Sequence, residues 1–392
     1  MKSAAILRGR ARIALAAAVA LCAVAASACS TIVVGRLASA TGRVLVGHAE
    51  DDGGDLEIRH GRVPAADWPT GATLPLEPGL AAVPQVTHTF GFWWSEVRSP
   101  DGGPSWADAF YNENGVWVVS DSAGVSRAAD LDGGKLLTDG GVVYAVRRAV
   151  AERAKSARDA VDVIAGLVGR WGYAQSGRIY VVADRDEAWL VQLVRGRTWA
   201  ARRCPDDAIL FLPNHYTIHD LPPQPTADCR FSADVRERAR ANGWWDGREP
   251  FDFAAVYQAD CWRGIPHNTE RRRFALRLLL GREPGLADFG FSVKAPRKYA
   301  AADLERVLTA HPADVTPHVD DRDTPALCRR ATVETTVCAF GATVAATEIA
   351  LAAAPACEKG FTRFRPLGGE PDPRFEDGDG PARLAARFLP RR

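Results

Sequence analysis

The sequence predicts an α+β protein built on two packed antiparallel sheets. Segments rich in β-branched and aromatic residues occupy both halves of the chain, and a stretch with helical periodicity at 139–171 lies between them. The 35 glycines and 25 prolines suit many short strands joined by turns. We find no internal repeat and no linker. We therefore expect one domain over residues 29–367 and a loosely ordered Pro/Gly/Asp-rich tail over 368–392.

Residues 1–28 have the pattern of a secretory signal peptide. Four basic residues precede an apolar run over 13–26, and Ala26-Ser27-Ala28 matches an Ala-x-Ala cleavage site. The run is too short for a comfortable membrane span. We expect export to the periplasm or the medium, cleavage after Ala28, and no membrane span in the mature chain.

Cleavage after Ala28 would leave Cys29 with a thiol and a free α-amine on one residue. An α-amine has a reference pKa of about 7.7–8.0, so near pH 7 it is partly neutral and can accept the proton of the thiol. Cys29 therefore carries both parts of an N-terminal nucleophile. By position it also suits a lipidated anchor or half of a disulfide, although Ala26 stands where a lipidation site usually has Leu.

Cysteine usage favours the nucleophile. Cys22 leaves with the signal peptide, and six cysteines besides Cys29 remain, which in an exported chain allows up to three disulfides with 15 possible pairings. Cys29 is then the odd thiol. None of the six has the Cys-x-x-Cys spacing of a zinc or redox site, so we expect no metal. The six are Cys204, Cys229, Cys261, Cys328, Cys338 and Cys357.

The charge balance argues against a nucleic-acid partner. Removing residues 1–28, which carry four basic residues and no acid, takes the formal net charge from +1 to −3. A slightly acidic chain lacks the basic surface that nucleic acid or an anionic membrane requires.

The mature N-terminus is predicted to open a β-hairpin. Strands over 31–34 and 44–47 flank a turn at 40–43, and the second strand returns to the level of Cys29. It ends in polar residues over 48–52, which read either as part of a site or as a solvated acidic turn.

Further elements follow from periodicity and turn chemistry. Residues 60–85 are predicted to form a long surface loop, 85–94 a strand, and the Asn-Gly turn at 112–115 a second hairpin. Ser156 and Asp159 predict the cap of the second of two helices within 139–171. The later strands are expected at 178–183, 188–194, 198–203, 208–212, 331–337 and 345–351, and the later helices at 229–241, 269–280 and 302–310.

The 243–270 region is predicted to be mostly irregular. Its aromatic residues suit either a substrate cleft or core packing, and core packing is favoured. These residues include Trp244, Trp245 and Trp262.

Several motifs in order resemble one family. Residues 29–35 (CSTIVVG), the Thr-Gly turn at 41–42 and residues 47–51 (GHAED) resemble the start of the C69 dipeptidases. These belong with the penicillin V acylases and bile salt hydrolases among the N-terminal nucleophile (Ntn) hydrolases. The resemblance continues at 112–116 (NENGV) and 213–215 (PNH), and more faintly at 332–337 (TVETTV).

The resemblance implies a four-layer αββα sandwich with the nucleophile on an inner strand, and hydrolysis of small peptide amides without metal or cofactor. It implies that Cys29 is the nucleophile, that Asp51 holds its amine and that Asn214 donates to the oxyanion. Ser122 stands where the acylases place another polar oxyanion residue, and Asn112 belongs to the motif that precedes it.

The resemblance also leaves questions open at two basic positions. His48 replaces an arginine of the acylases, and a neutral imidazole cannot replace a permanent cation. A second, later arginine of the acylases corresponds to one of residues 271–273, with Arg273 preferred because Phe274 follows it.

The expected partner is a small peptide. Two alternatives remain: an N-acyl amide hydrolase with the same machinery, or a non-catalytic lipoprotein or binding module on this fold. The sequence leaves an oligomer possible.

Overall fold

A computed structural model describes residues 29–52, 56–74, 79–98, 105–124, 126–127, 135–262, 265–318 and 324–368. The predicted signal peptide and residues 369–392 of the predicted tail lie outside the described residues. Within the described ranges, no helix is both long enough and apolar enough to cross a membrane.

Seventeen strands are found in the part of the chain that the structure describes. They are β1 (Ser30–Val34), β2 (Leu45–Asp51), β3 (Glu57–Val63), β4 (Ala66–Asp67), β5 (His88–Thr89), β6 (Phe92–Arg98), β7 (Ser105–Asn112), β8 (Trp117–Ser122), β9 (Tyr173–Ala183), β10 (Ala188–Gly196), β11 (Trp199–Arg203), β12 (Ala208–Leu212), β13 (Cys229–Phe231), β14 (Val293–Lys294), β15 (Thr332–Ala339), β16 (Glu348–Ala353) and β17 (Thr362–Phe364).

The α-helices contain fewer residues in total than the strands. They are α1 (Ala145–Arg153), α2 (Ala157–Trp171), α3 (Val235–Ala241), α4 (Phe253–Tyr257), α5 (Pro266–Leu280), α6 (Ala301–Leu308) and α7 (Ala356–Lys359). Two 3₁₀ turns are found at Leu286–Phe289 and Val344–Ala346.

Most strands belong to two large antiparallel sheets. The first has seven strands in the order β14-β12-β1-β2-β15-β16-β17, and the second has eight in the order β13-β11-β10-β9-β8-β7-β6-β3. A separate pair, β4 and β5, forms a two-stranded sheet. β1 and β2 are central in the first sheet, so the N-terminal hairpin lies in the interior of the molecule.

Three layers of buried side chains hold four layers of backbone together. Val33 and Val46 of the first sheet pack against Trp117 and Val119 of the second. Helices α1 and α2 cover the outer face of the second sheet. Helices α5 and α6 cover the outer face of the first sheet. This arrangement confirms the predicted αββα sandwich.

Strand β1 explains why the sequence near the cleavage site reads as a continuous apolar run. Ile32 and Val34 point toward α5 and α6, whereas Val33 points into the layer between the sheets. Successive side chains of a strand alternate between faces, and both faces are covered here. The same alternation places Cys29 and Thr31 on the face that looks into the sandwich.

The predicted hairpins and the two consecutive helices are confirmed, whereas two predictions of local structure were wrong. Residues 57–63 form β3 rather than the start of a loop. β3 is an edge strand in which only His60 is buried, so its sequence lacks the alternation that marks a strand. Residues 229–231 form β13 beside β11, and the helix predicted from 229 begins only at Val235.

The six cysteines do not form the three disulfides that their number would allow. Five of the six cysteines are free thiols, namely Cys204, Cys229, Cys328, Cys338 and Cys357. Three of them, Cys204, Cys229 and Cys338, lie in the core between the sheets, where cysteine packs as a small apolar residue.

Candidate active site

The pairing of β1 places Cys29 between two polar side chains. Thr31 lies opposite Leu212 of β12, and Ser30 lies opposite Ala49 of β2. Continuing each register to the start of β1 brings Cys29 level with Asn214 on one side and Glu50 on the other. Residues far apart in sequence therefore meet at the predicted cleavage site because they flank one central strand.

The Cys29 thiol is buried and contacts Glu50. Its Sγ lies 3.1 Å from Glu50 Oε2 and 3.9 Å from the Asp51 carbonyl oxygen. Burial, reinforced by the negative charges of Glu50, Asp121 and Asp51, raises the pKa of the thiol well above its ordinary value. With residues 1–28 attached, Cys29 is therefore protonated and a weak nucleophile.

His48 links the two sheets through a chain of hydrogen bonds. Its Nε2 lies 3.2 Å from Asp108 Oδ1 of β7, and its Nδ1 lies 2.8 Å from Thr31 Oγ1. The Thr31 hydroxyl donates in turn to Asp121 Oδ2 of β8 at 2.6 Å. All three bonds are satisfied together when both ring nitrogens carry a proton.

The electrostatics agree with a charged His48. Burial alone would lower the pKa of His48, but the charge and hydrogen bond of Asp108, with Glu50 and Asp121, raise it well above its ordinary value. His48 is thus an imidazolium at neutral pH, which answers the question left by the missing arginine. The charged ring of His48 pairs with carboxylates rather than with the thiol of Cys29.

Glu50 is an anion for the same reason. Burial acts to raise the pKa of Glu50, but the hydrogen bond and charge of His48 outweigh burial and lower it. Trp106 Nε1 donates to the other carboxylate oxygen at 3.2 Å. A carboxylate with a lowered pKa is a poor proton acceptor, so Glu50 is not a strong base toward the thiol.

Asp51 lies at the end of β2, beside the first residue of β15. Thr332 Oγ1 donates to Asp51 Oδ1 at 2.5 Å, and Arg329 Nη1 lies 3.9 Å from Asp51 Oδ2. Burial raises the pKa of Asp51 to about 6, even though the charges of Arg329 and Arg271 oppose this. With residues 1–28 attached, the nearby positive charges therefore do not fully compensate for the burial of the Asp51 carboxylate.

Asn214 is fixed from three directions. Arg271 Nη2 donates to its side-chain oxygen at 2.6 Å, its amide nitrogen donates to the Ser122 carbonyl oxygen at 3.0 Å, and Trp262 Nε1 donates to its backbone oxygen at 2.6 Å. An amide nitrogen carries two hydrogens, and the bond to Ser122 uses one of them. The orientation of Asn214 is thus set before any ligand binds.

The structure corrects the choice among the three consecutive arginines. Arg271 is buried, contacts Asn214 and feels the negative charge of Asp51. Burial lowers the pKa of Arg271 to about 10, which still leaves a cation at neutral pH. Arg273, the preferred candidate, instead lies on an exposed face with Nη1 3.2 Å from Glu283 Oε1.

Two other predicted site residues have local roles. Asn112 makes four hydrogen bonds within its own turn and to the carbonyls of Ala151 and Ala154, so turn chemistry explains it and it does not face Cys29. The Ser122 hydroxyl accepts from the Gly124 N–H at 3.1 Å, and it is the Ser122 carbonyl that meets Asn214.

Sequence reasoning missed several residues that build the site. Glu50 had a detectable signal, because it shares a strand face with His48 two residues earlier. Arg329 gave no signal. The others lie on strands of the second sheet, where nothing local marks them, or in the irregular region, where the aromatic residues suited a cleft but core packing was favoured. These others are Asp108, Asp121 and Trp262.

Buried groups with metal-ligand chemistry are present in this network. Ligand atoms of His48, Glu50 and Asp108 lie within 4.8 Å of one another. Because the carboxylates raise the pKa of His48, its nitrogens hold protons, and the arrangement serves as a buried ion-pair network.

Comparison with known proteins places the chain in a family. The model of peptidase family C69 matches residues 28–336. Dipeptidase A of Lactobacillus helveticus is 24% identical over 318 residues, which cover 76% of this chain and 64% of that protein. A probable dipeptidase of Latilactobacillus sakei is 27% identical over 159 residues, covering 40% of this chain and 33% of that protein.

These alignments span between one third and just under two thirds of the length of the curated relatives. Among solved structures, a mutant of conjugated bile acid hydrolase from Clostridium perfringens aligns over 86% of this chain and 92% of that chain, with a TM-score of 0.40 and 9% identity. The family model spans most of the sequence and includes Cys29, so the chain belongs to peptidase family C69.

Proposed function

We propose that this protein is an exported cysteine-type dipeptidase whose N-terminal nucleophile is Cys29, exposed by cleavage after Ala28. The observation that carries the proposal is the position of Cys29 between Glu50 and Asn214 at the start of a central strand, with Asp51 beside it. Family membership and the dipeptidase names of the relatives support a peptide substrate. Export rests on the signal pattern of residues 1–28.

The site as it stands lacks a base for the thiol, and the new α-amine supplies one. Glu50 contacts the thiol but has a lowered pKa, and His48 is already protonated. An α-amine with a pKa near about 8 is matched to the thiol and to neutral pH. Once protonated, the α-ammonium adds a positive charge beside Asp51 and so stabilises this buried carboxylate.

In the first half of the reaction the thiol proton moves to the α-amine, and the sulfur attacks the scissile carbonyl carbon. The second N–H of Asn214 and a backbone N–H stabilise the resulting oxyanion, and one such donor is typically worth about 3–4 kcal/mol. The α-ammonium then protonates the leaving amine, the C–N bond breaks, and a thioester on Cys29 remains.

In the second half, water replaces the leaving amine. The α-amine takes a proton from the water, the hydroxide attacks the thioester, and the C–S bond breaks to give a carboxylic acid, which releases its proton to solvent. The proton on the α-ammonium returns to the Cys29 sulfur. His48 stays protonated throughout, because its role is to hold the negative charges of Glu50, Asp108 and Asp121 in place.

The test uses mature protein that begins at residue 29. Cys29→Ala removes the sulfur, and we expect loss of dipeptide hydrolysis to background. Cys29→Ser keeps a weaker nucleophile and should retain a small fraction of the activity. Cys204→Ala is the matched control, because Cys204 is a buried thiol in the core between the sheets. Full dipeptidase activity in Cys29→Ala would overturn the proposal.

A substrate panel and an intact mass complete the test. Dipeptides that are cleaved faster than N-acyl amides support the dipeptidase, and the reverse order contradicts the peptide assignment while keeping the nucleophile. The mass of the exported protein should correspond to a free Cys29, and a diacylglyceryl addition would contradict the mechanism because it accompanies a blocked anchor.

A further inference from the structure

We propose a second site, distinct from the Cys29 site and formed by His311, His318, Cys328 and Cys357, that binds one zinc ion and has a structural role. The four side chains come from the segment after α6, the segment before β15, and helix α7. One ligand atom from each lies within 4.8 Å of all the others. Two histidines and two cysteines form a common donor set of closed, four-coordinate zinc sites.

The separations match the edges of a zinc tetrahedron. Zn–S bonds of about 2.3 Å and Zn–N bonds of about 2.0–2.1 Å place a sulfur and a nitrogen ligand about 3.6 Å apart at the tetrahedral angle. His318 Nε2 lies 3.5 Å from Cys328 Sγ and 3.4 Å from Cys357 Sγ, and His311 Nε2 lies 3.5 Å from Cys357 Sγ. Three edges of the tetrahedron are therefore already near their final length.

His318 has the outer contact that a metal-bound histidine usually has. While its Nε2 faces the two sulfurs, its Nδ1 lies 3.4 Å from Glu358 Oε1. Such carboxylate–histidine pairs fix the tautomer and orient the ring toward the metal. His318 also has a positive φ of 59°, which is uncommon for a residue with a side chain and is consistent with a position under constraint.

The donor chemistry selects zinc over other common ions. Two thiolates exclude magnesium and calcium, which take oxygen ligands, and a tetrahedral S₂N₂ set suits zinc. Binding removes one proton from each thiol, and both protons pass to solvent as two Zn–S bonds form. The sequence did not reveal the site, because the two cysteines are separated by 28 intervening residues and have no Cys-x-x-Cys spacing.

The ion would connect the periphery of the fold to the candidate active site. Cys328 is followed by Arg329, whose guanidinium lies 3.9 Å from Asp51 and whose backbone N–H donates to Thr332 Oγ1 at 2.9 Å. Holding Cys328 to helix α7 therefore fixes the segment that leads into β15 and contacts Asp51. The protein supplies all four ligands, so the site is closed and has no open position for catalysis.

The experiment titrates reduced, chelator-treated full chain with Co²⁺ and then Zn²⁺. We expect one Co²⁺ per chain, with thiolate charge-transfer absorption and the intense visible bands of tetrahedral cobalt, displaced by one equivalent of Zn²⁺. Cys357→Ser should lose the sulfur-to-cobalt absorption and weaken binding by more than about 100-fold, and Glu358→Gln by about 10–100-fold. Cys204→Ala is the control and should bind as the unaltered chain does.

His318→Asn provides a second variant, because Asn tolerates a positive φ, and it should weaken Co²⁺ binding as Cys357→Ser does. The wild-type titration does not depend on any variant folding. No thiolate–cobalt signal in the reduced wild-type chain would overturn the proposal. So would air-purified protein in which Cys328 and Cys357 are joined as a disulfide, seen as a mass lower by two hydrogen atoms and the absence of metal.

Discussion

Arg271 and Arg273 show how little of a site is visible at the scale of one residue. They are two positions apart on a helix with about 3.6 residues per turn, so their side chains point to nearly opposite sides. Arg271 faces Asn214, and Arg273 faces Glu283 near the surface. The sequence predicted that one arginine of the cluster enters the site. Its preference for Arg273 was wrong, because the choice depends on the rotation of α5 against the first sheet.

Replacing Arg271 should impair catalysis through Asn214. In Arg271→Gln the 2.6 Å bond that fixes the Asn214 side chain is lost, and we expect kcat to fall by about 10²–10³, the usual cost of a displaced oxyanion donor. Steady-state kinetics should show the loss mainly in kcat rather than in KM. Arg273→Gln is the matched control and should change kcat less than about twofold. Equal effects of the two variants would contradict the assignment.

Asp51 predicts a pH dependence of stability in the uncleaved chain. Its pKa is raised by burial to about 6 from an ordinary value of 3.8, so the folded state binds more protons between these pH values than the unfolded state. Stability should therefore fall as pH rises from about 4 to about 6. In full chain carrying Cys29→Ala, Asp51→Asn should raise the free energy of unfolding at pH 7 by up to about 3 kcal/mol, with no gain below about pH 4.

Asp206→Asn is the control, because it should lower the free energy of unfolding at pH 7, whereas Asp51→Asn should raise it. Burial acts to raise the pKa of Asp206, but the hydrogen bonds and charges of Arg203 and Arg36 outweigh it and lower the pKa. Its stabilising effect is present at neutral pH and is lost as pH falls. Denaturant unfolding from pH 7 down to below the ordinary carboxyl pKa of 3.8 measures both variants. A loss of stability in Asp51→Asn at pH 7 would show that the nearby positive charges already compensate for the burial of this carboxylate.

At the scale of elements, strand pairing decides which residues meet. The β1–β2 hairpin was predictable because its strands are close in sequence and its turn is recognisable. β12 and β15 join the same hairpin from about 170 and 280 residues away, and no local pattern encodes that neighbourhood. This is why Cys29 and Asp51 were predicted together, whereas their companions on the second sheet were not.

The His48 network should contribute strongly to the packing of one sheet on the other. His48→Gln removes the buried cation that faces Asp121 and one of the two that face Asp108, which keeps Arg147 Nη1 at 3.4 Å. Removing one partner of a buried ion pair typically costs about 3–5 kcal/mol. Urea unfolding at pH 7 should show this loss. His88→Gln is the control, because His88 pairs with Asp67 at the surface and should change stability by less than about 0.5 kcal/mol. Similar stabilities of the two variants would contradict a charged His48.

For the whole molecule, the sequence predicted the layers better than the details. Alternating and continuous apolar runs identified most strands and the two helices over 139–171, and the resemblance supplied their arrangement as a four-layer sandwich. The number of cysteines did not predict their bonding state, because a count does not show which side chains meet in space. Three thiols pack in the core, and two others meet two histidines only through the folding of segments near residues 311, 328 and 357.

The whole-molecule hypothesis is that one cut converts a protonated, buried thiol into a nucleophile with its own base. The most direct measurement compares two forms of the protein that differ by a single residue: one beginning at Cys29, and one that retains Ala28 so that the nitrogen of Cys29 stays in a peptide bond. We predict that the first hydrolyses dipeptides and is inactivated by one equivalent of iodoacetamide on Cys29, and that the second is at least about 10³-fold slower. Equal rates for the two forms would contradict the account.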